Sequence, residues 1–196
     1  MQPTDLPLFP LSSVLFPDGT LSLRIFERRY LDMIRDCARD SAGFGVCLIL
    51  DGQEVGEPPI PAAVGTLARI VDFHTTEDGL LGILARGDER FHVLETRVRD
   101  NGLIHARVDW IEERDIQQVP PECGLLATIL ERFHEQAGGE YAKVDRARYD
   151  DAAWVGYRLA EALPLEEAER QSLLQASEPI ERLMQLMHLL PRFQTS

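Results

Sequence analysis

Three cysteines, five histidines, one lysine and nineteen arginines are the side chains of this 196-residue chain with most to offer nucleophilic, acid–base or ligand chemistry. Their spacing closes most of those routes. Cys37, Cys47 and Cys123 form no C-x-x-C pair and have no histidine at zinc-finger spacing, so they read as small buried hydrophobes in a reducing compartment. His74, His92, His105, His134 and His188 make neither H-x-x-x-H nor H-E-x-x-H, and no metal or cofactor is expected. Ser12, Ser13 and Ser22 lie outside any G-x-S-x-G elbow. A Ser-Lys dyad, Schiff base or phosphate-binding lysine would have to use Lys143, which stands in the polar, glycine-marked stretch "QAGGEYAKVDRARYD". The carboxylate pairs Glu112-Glu113, Asp150-Asp151 and Glu166-Glu167 are adjacent acids at helix starts or loop edges, the usual setting of solvated caps. No G-x-x-x-x-G-K-[ST] loop is present to cradle a nucleotide. The expectation is a protein that is not an enzyme.

The arginines are the residues left to weigh. Arg24, Arg28 and Arg29 cluster after the apolar opening, and Arg69, Arg90, Arg97, Arg99 and Arg107 fall on or beside strand-like runs with apolar residues between them. Such a pattern can line a groove for extended polypeptide. Acidic residues are as dense nearby, so any single arginine is first of all a surface ion pair worth little. The candidate polypeptide-binding set is Phe16, Arg24, Phe26, Arg28, Arg29, Arg69 and Arg90.

The elements that would position them change character once along the chain. Asp18-Gly19, Asp51-Gly52, Asp78-Gly79 and Asn101-Gly102 are tight-turn signals. Between them lie strand-like runs at 20–26, 44–50, 64–73, 80–85, 90–98 and 103–111, the last alternating Ile104, Ala106, Val108 and Trp110 with polar residues. Many short strands at this spacing predict a β-barrel or sandwich. One early helix runs from Glu27 to Arg39, its apolar face formed by Tyr30, Ile34, Cys37 and Ala38, and is expected to plug the barrel end. After Pro120-Pro121 the period becomes 3.6. Leu126, Ile129, Leu130, Phe133 and Ala137 make one stripe, and Val155, Leu159, Ala162 and Leu163 a second behind Asp150 or Asp151. A short helix follows Pro164. The last helix opens at Ser177 and Pro179 with Ile180, Leu183, Met184, Met187 and Leu190 on one face, completing a four-helix bundle. The predicted division is 1–118 for the barrel and 119–196 for the bundle, an α+β chain.

The opening "LPLFPL", the following "VLFPDG" and "LSLRIFERRY" resemble the amino-terminal, substrate-binding domain of Lon-type ATP-dependent proteases. The likeness continues in order through "FGVCLIL", "GDERFHVLE", "ARVDWIEE" and "PIERLMQLMHLL". It implies a PUA-like pseudobarrel followed by helices, in a stand-alone form, since the ATPase motifs are missing and no length is left for a protease domain. It also implies a module that engages unfolded or degron-bearing polypeptides, with a separate ATPase or protease as a further partner. The motif residues Pro7, Phe9, Pro10, Pro17, Glu27 and Tyr30 are given architectural work: prolines stiffen an edge, aromatics fill the barrel end, and Glu27 favours the helix N-terminus.

Charge and hydropathy agree with such a reading. The net charge is −13; residues 1–118 hold 12 basic and 20 acidic side chains, residues 119–196 hold 8 and 13. Both halves are acidic, which argues against non-specific nucleic-acid binding. The opening run lacks a basic leader and is broken by Pro7, Pro10 and Pro17, and no run reaches the roughly 18 to 20 apolar residues that span a bilayer. A cytoplasmic protein without membrane contact is expected, and exposed strand edges admit a homodimer. The alternative reading is a PUA-like nucleic-acid or small-ligand module, supported by fold analogy alone. A hydrolase assembled from distant residues ranks behind both.

Overall fold

The structure, a computed structural model, describes residues 4–112 and 116–193, the side chains of Glu140 and Ala142 excepted. The chain divides into two compact units, Met1–Glu112 and Glu113–Ser196. This boundary falls a few residues before the expected one at 118. Gln117 O accepts from Ala152 N at 2.8 Å and Val119 N donates to Asp150 O at 2.9 Å, so this segment bonds to the helical unit.

The first unit holds β1 (Thr4–Leu11), β2 (Thr20–Ile25), α1 (Arg28–Asp40), β3 (Phe44–Asp51), β4 (Ile60–Thr75), β5 (Leu81–Val98) and β6 (Ile104–Trp110). They form one mixed sheet in the order β2-β5-β4-β3-β1-β6, and a further β5–β6 pairing closes all but β2 into a ring. Closure depends on β5. Its first residues pair with β2 on one side and β4 on the other, and Phe91 to Val98 turn to β6. Two strands, at 80–85 and 90–98, were expected where β5 runs unbroken. Gly87 accounts for the continuity: it serves a close approach, its N–H donating to Gly19 O at 2.8 Å while its own carbonyl accepts from Asp18 N at 2.9 Å. A Cβ there would lie 2.2 Å from Phe16 O.

The proline-rich β1 is interior, which corrects the expectation of an edge. Thr4 to Pro7 pair antiparallel with β6, and Leu8 to Leu11 pair in parallel with β3, so each half uses one side at a time. That arrangement tolerates Pro7 and Pro10, which cannot donate to a ladder. The Asp-Gly signals also divide by role. Asp78-Gly79 and Asn101-Gly102 turn the β4–β5 and β5–β6 hairpins, with Gly79 and Gly102 at positive φ. Asp51-Gly52 opens a long loop instead, and Asp18-Gly19 joins strands that do not pair with each other.

Helix α1 buries Tyr30, Met33, Ile34 and Cys37 against Phe9, Leu15, Ile25, Phe44 and Ile83. Ser41 in the left-handed region ends it. A second cluster gathers Leu6, Leu8, Cys47, Leu67, Phe91 and Val108 inside the ring.

The second unit carries α2 (Gly124–Ala137), α3 (Ala152–Ala162), α4 (Glu167–Gln175) and α5 (Pro179–Leu189), joined by short 3-10 turns. Asp151 caps α3 by accepting from Ala153 N and Trp154 N. Helix α3 is buried nearly all round and touches α2, α4 and α5. Two predicted stripes match the buried faces in part: Leu126, Leu130, Leu183 and Leu190 are buried, while other members are not. On α2, Phe133 is exposed and His134 is buried against Tyr149, Tyr141 and Trp154. On α5, Ile180 and Met184 are exposed while Arg182 and Leu186 are buried. Arg182 turns that face: it lies 3.9 Å from the Tyr157 ring centroid and donates to Leu173 O, Ala176 O and Tyr157 Oη at 2.9 to 3.0 Å. Among the described residues no helix is long and apolar enough to cross a membrane.

Candidate functional site

The candidate polypeptide-binding residues do not form one patch. Phe16 and Arg90 are 0% and 1% exposed and Arg29 is 6% exposed, so these three are core residues, correcting their place in a binding surface. Arg29 shows the reason. Its guanidinium lies over the Tyr30 ring at 4.7 Å, pairs with Glu27 at 3.0 Å and donates to Gly102 O at 3.1 Å, tying the start of α1 to the β5–β6 turn. Burial raises the Tyr30 hydroxyl pKa, opposed by the Arg29 charge. Arg28 stands on the helix surface with Asp32, and Arg69 pairs with Asp88 on the exposed part of β4.

Arg24 and Phe26 do come together, in a groove of about 220 Å³. One wall is β2 from Ser22 to Ile25 with Phe26 and Glu27. The other is Phe9 and Leu11 of β1 with Glu54 and Val55 of the β3–β4 loop, and Tyr30 lies at its floor. Phe9 and Tyr30 stack there with centroids 4.0 Å apart and planes 9° from parallel. Phe26 is 47% exposed and Val55 54%, giving an apolar rim. Arg24 is held by Asp78 at 3.0 Å, and Glu54 accepts from Ser12 N at 2.6 Å and from the Ser12 hydroxyl. Of the family-motif residues, Phe9, Glu27 and Tyr30 line this groove. Pro7 lies elsewhere in the first unit, and Pro17 precedes the Asp18-Gly19 turn.

A larger cleft of about 490 Å³ lies between β1, β6 and the acidic side of α1. Asp5 is its hub. Arg97 donates to Asp5 Oδ2 at 2.7 Å, His105 Nδ1 is 3.2 Å from the same oxygen, and Arg99 is 3.8 Å from it. Burial lowers the His105 pKa, the Arg99 charge adds to this, and Asp5 opposes it. The cleft mixes Arg39, Arg69 and Arg99 with Asp32, Asp36 and Asp40, so it presents no uniform field to a polyanion.

All three thiols are buried; desolvation pushes Cys37 up to about 11 and Cys47 to about 12, and raises Cys123. Among the described residues no three His, Cys, Asp or Glu side chains are placed to hold a metal ion. Of the paired carboxylates, Glu113 lies outside the described residues; Asp151 is a helix cap.

Sequence reasoning missed Ser22, Leu23, Leu11, Glu54 and Val55. Four of them read as ordinary strand or turn residues. Only Val55, an apolar residue in a charged, proline-marked loop, carried a signal.

A mixed six-stranded sheet joined to a helical unit defines a Lon N-terminal-domain fold. The model of the ATP-dependent protease La (LON) substrate-binding domain matches residues 5–192, and the chain belongs to that family. A solved Lon N-terminal domain protein from Xanthomonas campestris is 51% identical, with a TM-score of 0.81 over 94% of this chain and 98% of that one. The N-terminal domain of a Mycobacterium avium complex Lon protease superposes with a TM-score of 0.69 at 14% identity over 94% of this chain and 97% of that one, a likeness of fold. The Lon protease of Anaeromyxobacter dehalogenans is 33% identical over 118 residues, 58% of this chain, and the match spans 14% of that protease's length.

Proposed function

We propose that this protein is a non-enzymatic binding module that recognises exposed or unfolded polypeptide segments and acts as an adaptor in protein quality control. The observation that carries the reading is the groove beside β2, edged by the exposed Phe26 and Val55, on a chain of the Lon substrate-binding family. Its clients are unfolded or degron-bearing polypeptides, delivered to a separate ATPase or protease. The three buried, unpaired thiols support work in the reducing cytoplasm. In this reading the ring of strands with α1 is a PUA-like pseudobarrel and α2 to α5 are a four-helix bundle.

The test is fluorescence anisotropy with labelled, permanently unfolded casein and with a labelled RNA oligomer, each at low and moderate salt. Saturable casein binding that persists as salt rises is the expected result, since apolar contacts are not screened. Binding of RNA alone, collapsing with salt, would replace this reading with the nucleic-acid one.

A further inference from the structure

The groove has one wall of a particular kind. Among the described residues β2 pairs only with β5, so its second edge is unmatched, and Ser22 to Ile25 of this strand line the groove. Gly87 N donates to Gly19 O, and Leu21, Leu23 and Ile25 follow in register opposite Ala85, Ile83 and Leu81. The alternation of an antiparallel ladder therefore turns the N–H and C=O groups of these three toward β5, and those of Thr20, Ser22 and Arg24 toward the open side. Leu21 and Leu23 are half-buried against the core, whereas Thr20, Ser22 and Arg24 are exposed. The edge is short and carries a single charge.

We propose that the free edge of β2 takes up an extended polypeptide segment as an added strand, apolar at every second residue and basic at the residues between. The proposal rests on the polypeptide-binding reading above and names how that binding is made. Main-chain bonds to Thr20, Ser22 and Arg24 hold the segment without regard to its sequence, as suits varied clients. Side chains on its inner face lie over the half-buried Leu23, between the exposed Phe26 and Val55. Six residues of β2 match about six of the guest.

Charge selects the outer residues and the occupant. Arg24 is neutralised by Asp78 and Glu27 by Arg29. That leaves Glu54 in the wall, with the exposed Glu57 on the same loop and the exposed Asp51 at the end of β3, in a chain of net charge −13. Lysine or arginine on the guest complements them. A second copy of this chain, paired through its own β2, would bring the same carboxylates face to face, which disfavours that occupant.

The probe is a labelled octapeptide of alternating valine and lysine. Two further versions carry N-methyl groups, on every valine or on every lysine. Only one of the two sets of N–H groups points at β2 in an added strand. One methylated peptide is therefore expected to bind on the order of tenfold or more weaker and the other close to the parent. In the protein, Ser22→Pro removes an outward N–H and is expected to weaken the parent peptide by a similar factor, with thermal melting as the folding control. Unfolded casein is expected to compete. Casein binding with both methylated peptides equal to the parent, or with no octapeptide binding, overturns the strand-addition mode and leaves polypeptide binding standing. Neither ligand binding overturns both. A concentration-dependent dimer in sedimentation, dissolved by Ser22→Pro and indifferent to the peptide, assigns the edge to a second copy and overturns the proposal.

Discussion

Several of the most informative residues are polar groups that the fold has taken inside. Arg182 is fully buried, donates to two carbonyls at the C-terminal end of α4 and lies against Tyr157, so Arg182→Ala would strip charge-assisted bonds and leave a hole. A loss of about 3 kcal/mol is expected in urea unfolding, against near-neutral effects at exposed Arg28. Arg170 does related work at the end of α3, donating to Ala160 O at 2.8 Å and Leu163 O at 3.0 Å. The histidines set a pH dependence. Burial, reinforced by Arg99 at His105 and by Arg158 at His134, lowers both imidazoles from the ordinary 6.5. Below that value the unfolded chain binds protons that the folded one refuses. Their contribution to stability is thus complete above about pH 6.5 and is lost as pH falls through the lowered values. Urea midpoints should drop between pH 7.5 and 5, and His105→Gln with His134→Gln should flatten the profile; an unchanged slope would remove both groups as its cause. None of this burial could be read from residue type. Arg29, Arg90 and Arg182 share the character of the exposed arginines in sequence, and only tertiary neighbours separate them.

At the scale of elements, periodicity located most helices and strands but not their phase or their joins. The helix after Glu27 was legible because polar and apolar residues alternate cleanly around it and "DSAGFG" stops it. The faces of α2 and α5 were legible only in part, because His134 and Arg182 count as outward residues until aromatic partners from α3 and the turns around it are known. The unbroken β5 was hidden behind "RGDER", which reads as a turn. Gly87 is needed there for space rather than for a bend, which makes it sensitive. Gly87→Ala places a methyl against the Phe16 carbonyl, backbone on backbone, and should cost at least about 2 kcal/mol in thermal unfolding, more than a strand Gly→Ala with open space would. The groove was half legible. Arg24 and Phe26 stood out as charge and aromatic beside one another, whereas its far wall joins Phe9 and Leu11 to Glu54 and Val55, residues distant in sequence that only strand order brings together.

For the whole molecule, the two units have separate cores, and each carries one tryptophan, Trp110 in the first and Trp154 in the second. Trp110→Phe and Trp154→Phe leave a single reporter for each unit. Guanidinium unfolding followed through them should give midpoints that do not coincide, and superimposable curves would mean one cooperative system. The order in which such a molecule assembles follows from β1. Its partners are Gly45 to Leu48 and His105 to Val108, so one half of β1 waits for a stretch some hundred residues further along the chain. The helical unit, built from nearer neighbours, has no such delay, and ring closure is the expected slow step of folding. Through that interval half of β1 lacks its partner strand. Pro7 and Pro10, useful later only because each half of β1 spares one side, would meanwhile keep it from zipping onto the same strand of another nascent chain.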